Sequence, residues 1–174
     1  MKLFSDYIGK NLRIVQPSIF KRTFKLNVDD ELLLSLHYPK TFSSLAEVEG
    51  FDGKWKIKKQ SFWNSILLIF QKDNDLPFAT YRSSFWGREG VIELPKGEKL
   101  NCKFNLWKSL FQIYTSSGIL ILSIKTGIKA KIRLLKGIKA EVIIEKKSEL
   151  LDKHPWVVML IWYNILESNR RAVQ

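Results

Sequence analysis

The sequence predicts an all-β protein in which an antiparallel sheet of short strands curls or closes around a hydrophobic C-terminal α-helix. Segments of alternating apolar and polar residues recur about every 8–12 residues between turn signals, a rhythm typical of antiparallel sandwiches and barrels. The chain then ends in a helical segment that is apolar on every face, and such a helix must be surrounded by protein or by lipid. A single domain is expected over residues 1–174, because no linker or low-complexity stretch divides the chain.

Thirteen segments have the alternation expected of strands, which is one or two more than we expect to form. Turn signals such as Asp52-Gly53 and Pro95-Lys96-Gly97 separate them. The stretch 32–44 also admits a helical turn. In chain order the predicted strands cover 13–16, 23–28, 32–38, 45–49, 55–62, 65–71, 78–81, 90–94, 100–105, 110–115, 119–125, 130–135 and 140–145.

The core helix is predicted at about 154–168. Pro155 suits a first helical turn, where its missing N–H costs nothing, which makes His154 or Asp152 the expected cap. At 1.5 Å per residue, the uncharged run that follows spans roughly 18 Å, whereas a bilayer core is about 30 Å thick and needs ~20 residues. A membrane anchor is therefore the disfavoured alternative, and the helix is expected inside the barrel.

Composition indicates a globular protein with a large core. Apolar residues make up 45% of the chain and aromatic residues 13%, including six Trp and eleven Phe. The single cysteine, Cys102, excludes an intramolecular disulfide and is expected to be a packed thiol, which fits a reducing compartment. The N-terminus lacks the apolar stretch of a signal peptide, so we expect a cytoplasmic protein that is peripheral at the membrane.

Positive charge is concentrated in one part of the chain. The net charge is +12, and no acidic residue occurs between Glu98 and Glu141. Such a single-sign segment attracts polyanions or anionic surfaces. Its basic residues are Lys99, Lys103, Lys108, Lys125, Lys129, Lys131, Arg133, Lys136 and Lys139.

Two-residue periodicity places part of this charge on one face of a strand. Lys129, Lys131 and Arg133 alternate with apolar residues, as Lys54, Lys56 and Lys58 do earlier in the chain. The apolar set suits a barrel interior and the basic set its outside. The candidate anion-binding residues are Lys125, Lys129, Lys131, Arg133, Lys136 and Lys139.

The chain resembles the tubby C-terminal-like superfamily, which includes tubby proteins, phospholipid scramblases and the plant LURP-one-related proteins. The resemblance covers about 51–166 and rests on the strand and turn patterns at 53–57, 90–97 and 107–120 and on the terminal helix. It implies a closed antiparallel β-barrel of about twelve strands enclosing a hydrophobic C-terminal α-helix. The chain lacks the tubby C-terminal signature, a scramblase-type cysteine cluster and an acidic calcium loop, so no functional residue is carried over.

A second resemblance is to the lipocalins, whose Gly-x-Trp pattern is met by Gly53-Lys54-Trp55. Lipocalins are eight-stranded barrels whose helix packs outside the barrel and is amphipathic. A helix that is apolar on every face disfavours this alternative.

Residue patterns of catalytic sites are missing from the sequence. His37 and His154 are the only histidines and are far apart, and neither a Gly-x-Ser-x-Gly turn nor a phosphate-binding glycine loop is present. The carboxylate pairs, at 29–31 and at Asp73 with Asp75, fall in predicted turns, where they serve backbone geometry. We expect no enzyme activity, no cofactor and no metal.

One interpretation of the basic face is an ordinary solvated surface on which lysines protect strands from aggregation. Three functions also remain open. The first is a non-enzymatic module that binds anionic phospholipid head groups at a membrane surface through the basic outer strand face. The second is a nucleic-acid-binding barrel that uses the same charge. The third is a carrier of a small apolar ligand, which requires a hollow barrel.

Overall fold

The computed structural model describes residues 2–40, 43–61, 64–84, 88–126 and 137–171. They form a closed antiparallel barrel of twelve strands, so the expected all-β barrel is confirmed. Each strand pairs with its neighbours in sequence, and β1 pairs with β12 to close the barrel. The strands are β1 (Leu12–Val15), β2 (Thr23–Val28), β3 (Glu31–His37), β4 (Ala46–Gly50), β5 (Gly53–Lys59), β6 (Ile66–Gln71), β7 (Ala79–Ser83), β8 (Glu89–Glu93), β9 (Lys99–Asn105), β10 (Leu110–Thr115), β11 (Leu120–Lys125) and β12 (Ile138–Ile144).

Four helical segments accompany the strands in the part of the chain that the structure describes. Two are single 3-10 turns, at Phe4–Tyr7 and Pro95–Gly97. The others are the short helix α1 (Glu149–Lys153) and the fifteen-residue helix α2 (Val157–Arg171).

Alternation of apolar and polar side chains explains where the strands form. In β2, for example, Phe24, Leu26 and Val28 are buried, and the residues between them are half-exposed. Each of the twelve strands overlaps one predicted range, and the doubtful stretch 32–44 begins with the regular strand β3. The predicted strand 130–135 lies outside the described residues.

Strand β5 begins at Gly53, two residues before the predicted residue 55. A Cβ atom at position 53 would collide with the ring of Trp55, two residues further on the same face. The Trp55 ring therefore packs over Gly53, the first residue of β5. The strand pairing thus begins before the segment in which apolar and polar residues alternate.

The barrel encloses α2, as expected from a helix that is apolar on every face. All residues from Trp156 to Tyr163 are buried, which covers more than two helical turns without an exposed face. Phe24 of β2 packs edge-on against Trp162, and Phe78 packs edge-on against Trp156. Barrel strands thus supply the apolar surroundings that a bilayer would otherwise provide.

Two polar groups of the helix also find partners in the barrel wall. The Tyr163 hydroxyl donates a hydrogen bond of 2.5 Å to the carbonyl oxygen of Ser44. The amide of Asn164 donates to the Tyr81 hydroxyl at 3.3 Å. These bonds fix the rotation of the helix inside the barrel, because an unpaired buried polar group would cost about 1–3 kcal/mol.

The predicted start and cap of the helix are wrong. The structure begins α2 at Val157 and ends it at Arg171, whereas the sequence indicated about 154–168. Residues 149–153 form the separate helix α1, and His154 caps the C-terminus of that helix. Asp152 lies within α1 and caps nothing, because its carboxylate accepts hydrogen bonds from the Ser5 amide at 2.7 Å and the Ser5 hydroxyl at 2.8 Å.

The barrel has two distinct ends. We name the end at which α2 begins the proximal end; it also holds α1 and the 3-10 turn Phe4–Tyr7. We name the opposite end, at which α2 finishes, the distal end. Strands β1, β3, β5, β7, β9 and β11 run from the proximal to the distal end, and the even-numbered strands return.

Packing around α2 is tight. The side chains from Val157 to Ile161 have no accessible surface. Because a void wide enough for a water molecule would expose the side chains that line it, no such void lies against these residues. None of the helices in the described ranges has both the length and the apolar character needed to cross a bilayer.

Candidate anion-binding face

Barrel closure gathers basic side chains on the outer surface of four adjacent strands. Strands β11, β12, β1 and β2 are consecutive neighbours in the barrel, although they come from opposite ends of the sequence. With strands about 4.8 Å apart, this surface is roughly 14 Å wide. We name it the basic wall and define it by Arg13, Lys25, Lys125 and Lys139.

Strand register places the members of the basic wall close to one another. Arg13 and Lys125 both oppose Glu141, the one carboxylate among them, from the two sides of β12. Lys139 precedes Glu141 by two residues and so shares its face of the strand. Lys25 opposes Val15, one step along β1 from the pairing of Ile14 with Leu26.

The charges of the basic wall are not neutralised by ion pairs. Within the described residues, none of its four basic side chains forms a salt bridge, and Lys125 is exposed. The wall therefore presents more positive than negative charge to solvent.

The second predicted row of lysines, on β5, has a different environment. Lys54 and Lys56 do lie on the outside, but they oppose Glu49 and Glu47 of β4. Lys54 forms a 3.3 Å ion pair with Glu49. Acidic partners across the strand thus cancel most of the charge of this row, which makes it a useful control surface.

Two of the six candidate residues named from the sequence belong to the described basic wall. These are Lys125 at the end of β11 and Lys139 near the start of β12. The other four, Lys129, Lys131, Arg133 and Lys136, lie outside the described residues. Sequence reasoning missed Arg13 and Lys25, since only the pairing of β1 with β12 brings them beside the others.

Acidic residues are distributed unequally between the two ends of the barrel. Between the strands that meet at the distal end, the sequence contains no Asp or Glu, and the described residues of these connections are 16–22, 38–40, 43–45, 60–61, 64–65, 84, 88, 106–109, 126 and 137. Connections at the proximal end carry most of the acidic side chains outside the strands. These are Asp29, Asp30, Asp52, Asp73, Asp75, Glu98, Glu145, Glu149 and Asp152.

At the distal end, a cluster around Tyr38 fastens the end of α2 to the barrel. The Arg22 guanidinium lies 3.7 Å from the centroid of the Tyr38 ring, and Tyr163 stacks on the same ring at 5.8 Å. The Tyr38 hydroxyl donates to Glu167 at 3.4 Å, and Arg170 pairs with Glu167 at 3.0 Å. The carboxylate of Glu167 is thus already engaged.

Burial shifts the pKa values in this cluster. It raises the pKa of the Tyr38 hydroxyl, which therefore remains a donor at neutral pH. Burial, assisted by the positive charge of Arg170, lowers the pKa of the Arg22 guanidinium. An arginine so shifted is still charged at neutral pH, because its ordinary pKa is above 12. The cluster thus adds positive charge at the distal end.

Reactive groups in the described part of the chain have environments typical of structural residues. Burial raises the pKa of the Cys102 thiol to about 12, so the thiolate needed for nucleophilic attack does not form at neutral pH. No group of three or more His, Cys, Asp or Glu residues that could hold a metal ion occurs within those ranges. His37 lies 3.5 Å from Glu47 on the outer surface.

Comparison with known proteins identifies the fold. No protein-family model and no curated protein matches the sequence. The structure is similar to the X-ray structure of a protein from Arabidopsis thaliana, with a TM-score of 0.59 over 92% of this chain and 91% of the other. The two sequences are 10% identical, so the likeness establishes a shared barrel fold.

Proposed function

We propose that this protein is a non-enzymatic module that binds anionic phospholipid head groups at a membrane surface through the basic wall. The observation that supports the proposal is the arrangement of Arg13, Lys25, Lys125 and Lys139 around a single carboxylate on four adjacent strands. Lipid head groups present phosphate oxygens at the membrane surface, and phosphate oxygens accept charge-assisted hydrogen bonds from Lys and Arg side chains.

The expected affinity is modest. A basic residue near an anionic bilayer contributes about 1 kcal/mol, so four of them, reduced by Glu141, give about 3 kcal/mol. Attraction of this kind weakens as salt screens the surface, since the Debye length is about 10 Å at 0.1 M ionic strength. Attachment should thus be reversible and sensitive to ionic strength.

We further propose that the chain belongs to the tubby C-terminal-like superfamily. The twelve-stranded barrel around an apolar C-terminal helix agrees with the resemblance seen in the sequence. This supports the lipid proposal only at the level of fold, because the superfamily includes proteins that act at membranes but the chain carries none of their signature residues.

The alternatives differ in what they require of the barrel. A carrier of a small apolar ligand needs interior space, and the fully buried side chains of α2 argue against it. A nucleic-acid-binding barrel would use the same basic wall and would also show salt-dependent binding. Direct comparison of the two anionic ligands is therefore needed.

The test is sedimentation with vesicles of phosphatidylcholine, with and without phosphatidylserine, beside gel-shift assays with duplex and single-stranded DNA across a salt series. The variant Lys25→Glu/Lys125→Glu should weaken binding to the anionic vesicles by at least about tenfold, since each reversal replaces an attraction by a repulsion. A matched control is Lys56→Glu/Lys58→Glu on β5, which changes the net charge equally but lies outside the basic wall.

Indifference of the wild-type protein to anionic vesicles at about 50 mM salt, well below physiological screening, would reject the proposal. Tight binding of DNA without binding of vesicles would favour the nucleic-acid alternative. Equal losses in the two variants would show that net charge, and not the basic wall, governs the attraction.

A further inference from the structure

Two loops at the distal end expose large apolar side chains to an unusual degree. In the loop between β1 and β2, Ile19 is 77% and Phe20 91% exposed. In the turn between β9 and β10, Leu106 is 55% and Trp107 99% exposed. Scattered single hydrophobic residues are normal on a protein surface, but adjacent pairs that include a fully exposed aromatic ring indicate a contact site.

Hydrogen bonds within the loops hold these side chains outward. The Asn105 side-chain oxygen accepts from the Lys108 amide at 3.1 Å, and the Ser109 amide donates to the Leu106 carbonyl at 3.2 Å. In the other loop, the Lys21 amide donates to the Ser18 carbonyl at 3.2 Å. The apolar residues therefore project from formed turns. We name the pairs Ile19-Phe20 and Leu106-Trp107 the two apolar tips.

The surroundings of the apolar tips are basic. Lys21 and Arg22 directly follow the first tip, and Lys108 directly follows the second. Both tips belong to distal connections, the set that contains no acidic residue. Three strand spacings, or roughly 14 Å, separate β10 from β1, so the two tips provide separate points of contact with one plane.

Exposed hydrophobic residues at the proximal end have a different character. Ile8, Leu76 and Ile119 are 43%, 73% and 42% exposed, but they are aliphatic and each lies in a different segment. Asp6 lies near Ile8, and Asp73 and Asp75 precede Leu76, so an anionic surface would repel these two segments, whereas the turn that holds Ile119 has no acidic residue. Among the described residues, adjacent pairs of exposed apolar side chains in connections free of acidic residues occur at the distal end alone.

We infer that the distal end of the barrel is the surface that meets the membrane, and that the two apolar tips insert into the interfacial layer of an anionic bilayer. This inference rests on the proposed function and adds to it the orientation of the protein and the residues that penetrate. Tryptophan favours the bilayer interface because its ring is apolar and its N–H is polar, and the flanking cations match anionic head groups.

The aliphatic residues of the two apolar tips favour a bilayer over a nucleic acid as the binding partner. Bases stack on aromatic rings, which would use Phe20 and Trp107, but Ile19 and Leu106 offer a base neither stacking nor hydrogen bonds. In a bilayer, all four side chains transfer apolar surface out of water. The basic wall reaches the same end, since Lys125 is the last residue of β11.

The test compares Leu106→Ser/Trp107→Ser with the matched control Leu76→Ser/Ile119→Ser, which removes exposed apolar side chains from the proximal end. Both variants should keep the wild-type unfolding midpoint, because the replaced residues are exposed. On vesicles containing phosphatidylserine, the tip variant should bind about tenfold more weakly or worse, and the control should bind like the wild type.

A second readout reports insertion directly. Lipids brominated on the acyl chains should quench part of the tryptophan fluorescence of the wild-type protein, and Trp107→Phe should reduce the quenched fraction while leaving binding nearly intact. The buried indoles of Trp156 and Trp162 contribute a constant background.

The outcomes separate the inference from the proposed function. If the wild type binds anionic vesicles and the tip variant binds equally well without change in quenching, insertion is rejected and the head-group proposal stands. If the wild type ignores anionic vesicles, both fail. Loss of single-stranded DNA binding in the tip variant, with vesicle binding unchanged, would overturn the bilayer as the occupant.

Discussion

Arg13 of β1 and Lys125 of β11 oppose the same residue, Glu141, from the two strands that flank β12. Neither forms an ion pair with that carboxylate in the described structure, so Glu141 moderates the positive field without cancelling it. Lys125 and Glu141 meet through the pairing of successive strands, and Arg13 joins them only because the barrel closes. Their arrangement makes Glu141 the most direct place to change the charge of the basic wall.

Replacing Glu141 by Gln should strengthen binding to anionic vesicles. The substitution removes the one negative charge from the centre of the basic wall at nearly constant volume, and a single charge near an anionic bilayer is worth about 1 kcal/mol, or about fivefold in affinity. Vesicle sedimentation at low salt measures the change. Asp75→Asn, in an exposed proximal turn, adds the same net charge elsewhere and should have a smaller effect. Unchanged or weaker binding of the Glu141 variant would argue against the wall.

Loss of the Asp152 carboxylate should destabilise the barrel although Asp152 lies outside the strands. Its two oxygens accept from the amide and the hydroxyl of Ser5, which joins the N-terminal 3-10 turn to α1. Hydrogen bonds to a charged acceptor contribute about 1.5–3 kcal/mol, so Asp152→Ala should lower the free energy of unfolding by roughly 2–3 kcal/mol, measured by denaturant titration. Ser5→Ala removes only one bond and should cost less.

The control for this prediction is Asp75→Ala, which removes an exposed carboxylate from a turn and should change stability by about 0.5 kcal/mol or less. If Asp152→Ala and Asp75→Ala are equally stable, the contact between the N-terminus and α1 does not support the fold.

More of the fold than of the basic wall could be predicted from the sequence. The strands depend on local residue patterns, whereas the basic wall depends on pairing between strands that are distant in the sequence. Alternating side chains and turn residues are local, so they mark the strands in the sequence, and the apolar faces of α2 require an enclosing wall. The pairing of β1 with β12 is a long-range contact that no local pattern encodes, which is why Arg13 and Lys25 were missed. The cap of the helix failed for a similar reason: Asp152 has its partner, Ser5, at the other end of the chain.

Truncation of a core side chain of α2 should test whether the helix is the centre of the hydrophobic core. Leu160 has no accessible surface, so Leu160→Ala removes buried methyl groups and leaves a cavity that the surrounding strands cannot fill. The expected loss in the free energy of unfolding is about 2–5 kcal/mol. Ile119→Ala, at a site 42% exposed, is the control and should cost far less. Similar losses in the two variants would contradict the enclosed position of α2.

Stability should fall on mild acidification because of His154. Burial lowers the pKa of this imidazole, the neighbouring charge of Lys153 lowers it further, and Glu98 opposes the shift. In the unfolded chain the pKa is about 6.5, so between the folded value and that value the unfolded state binds more protons. The free energy of unfolding should therefore decline as the pH falls below about 6.5. Thermal midpoints measured across this range should show the decline in the wild type and in His37→Gln but a shallower one in His154→Gln. Parallel profiles for all three proteins would exclude His154 as the source.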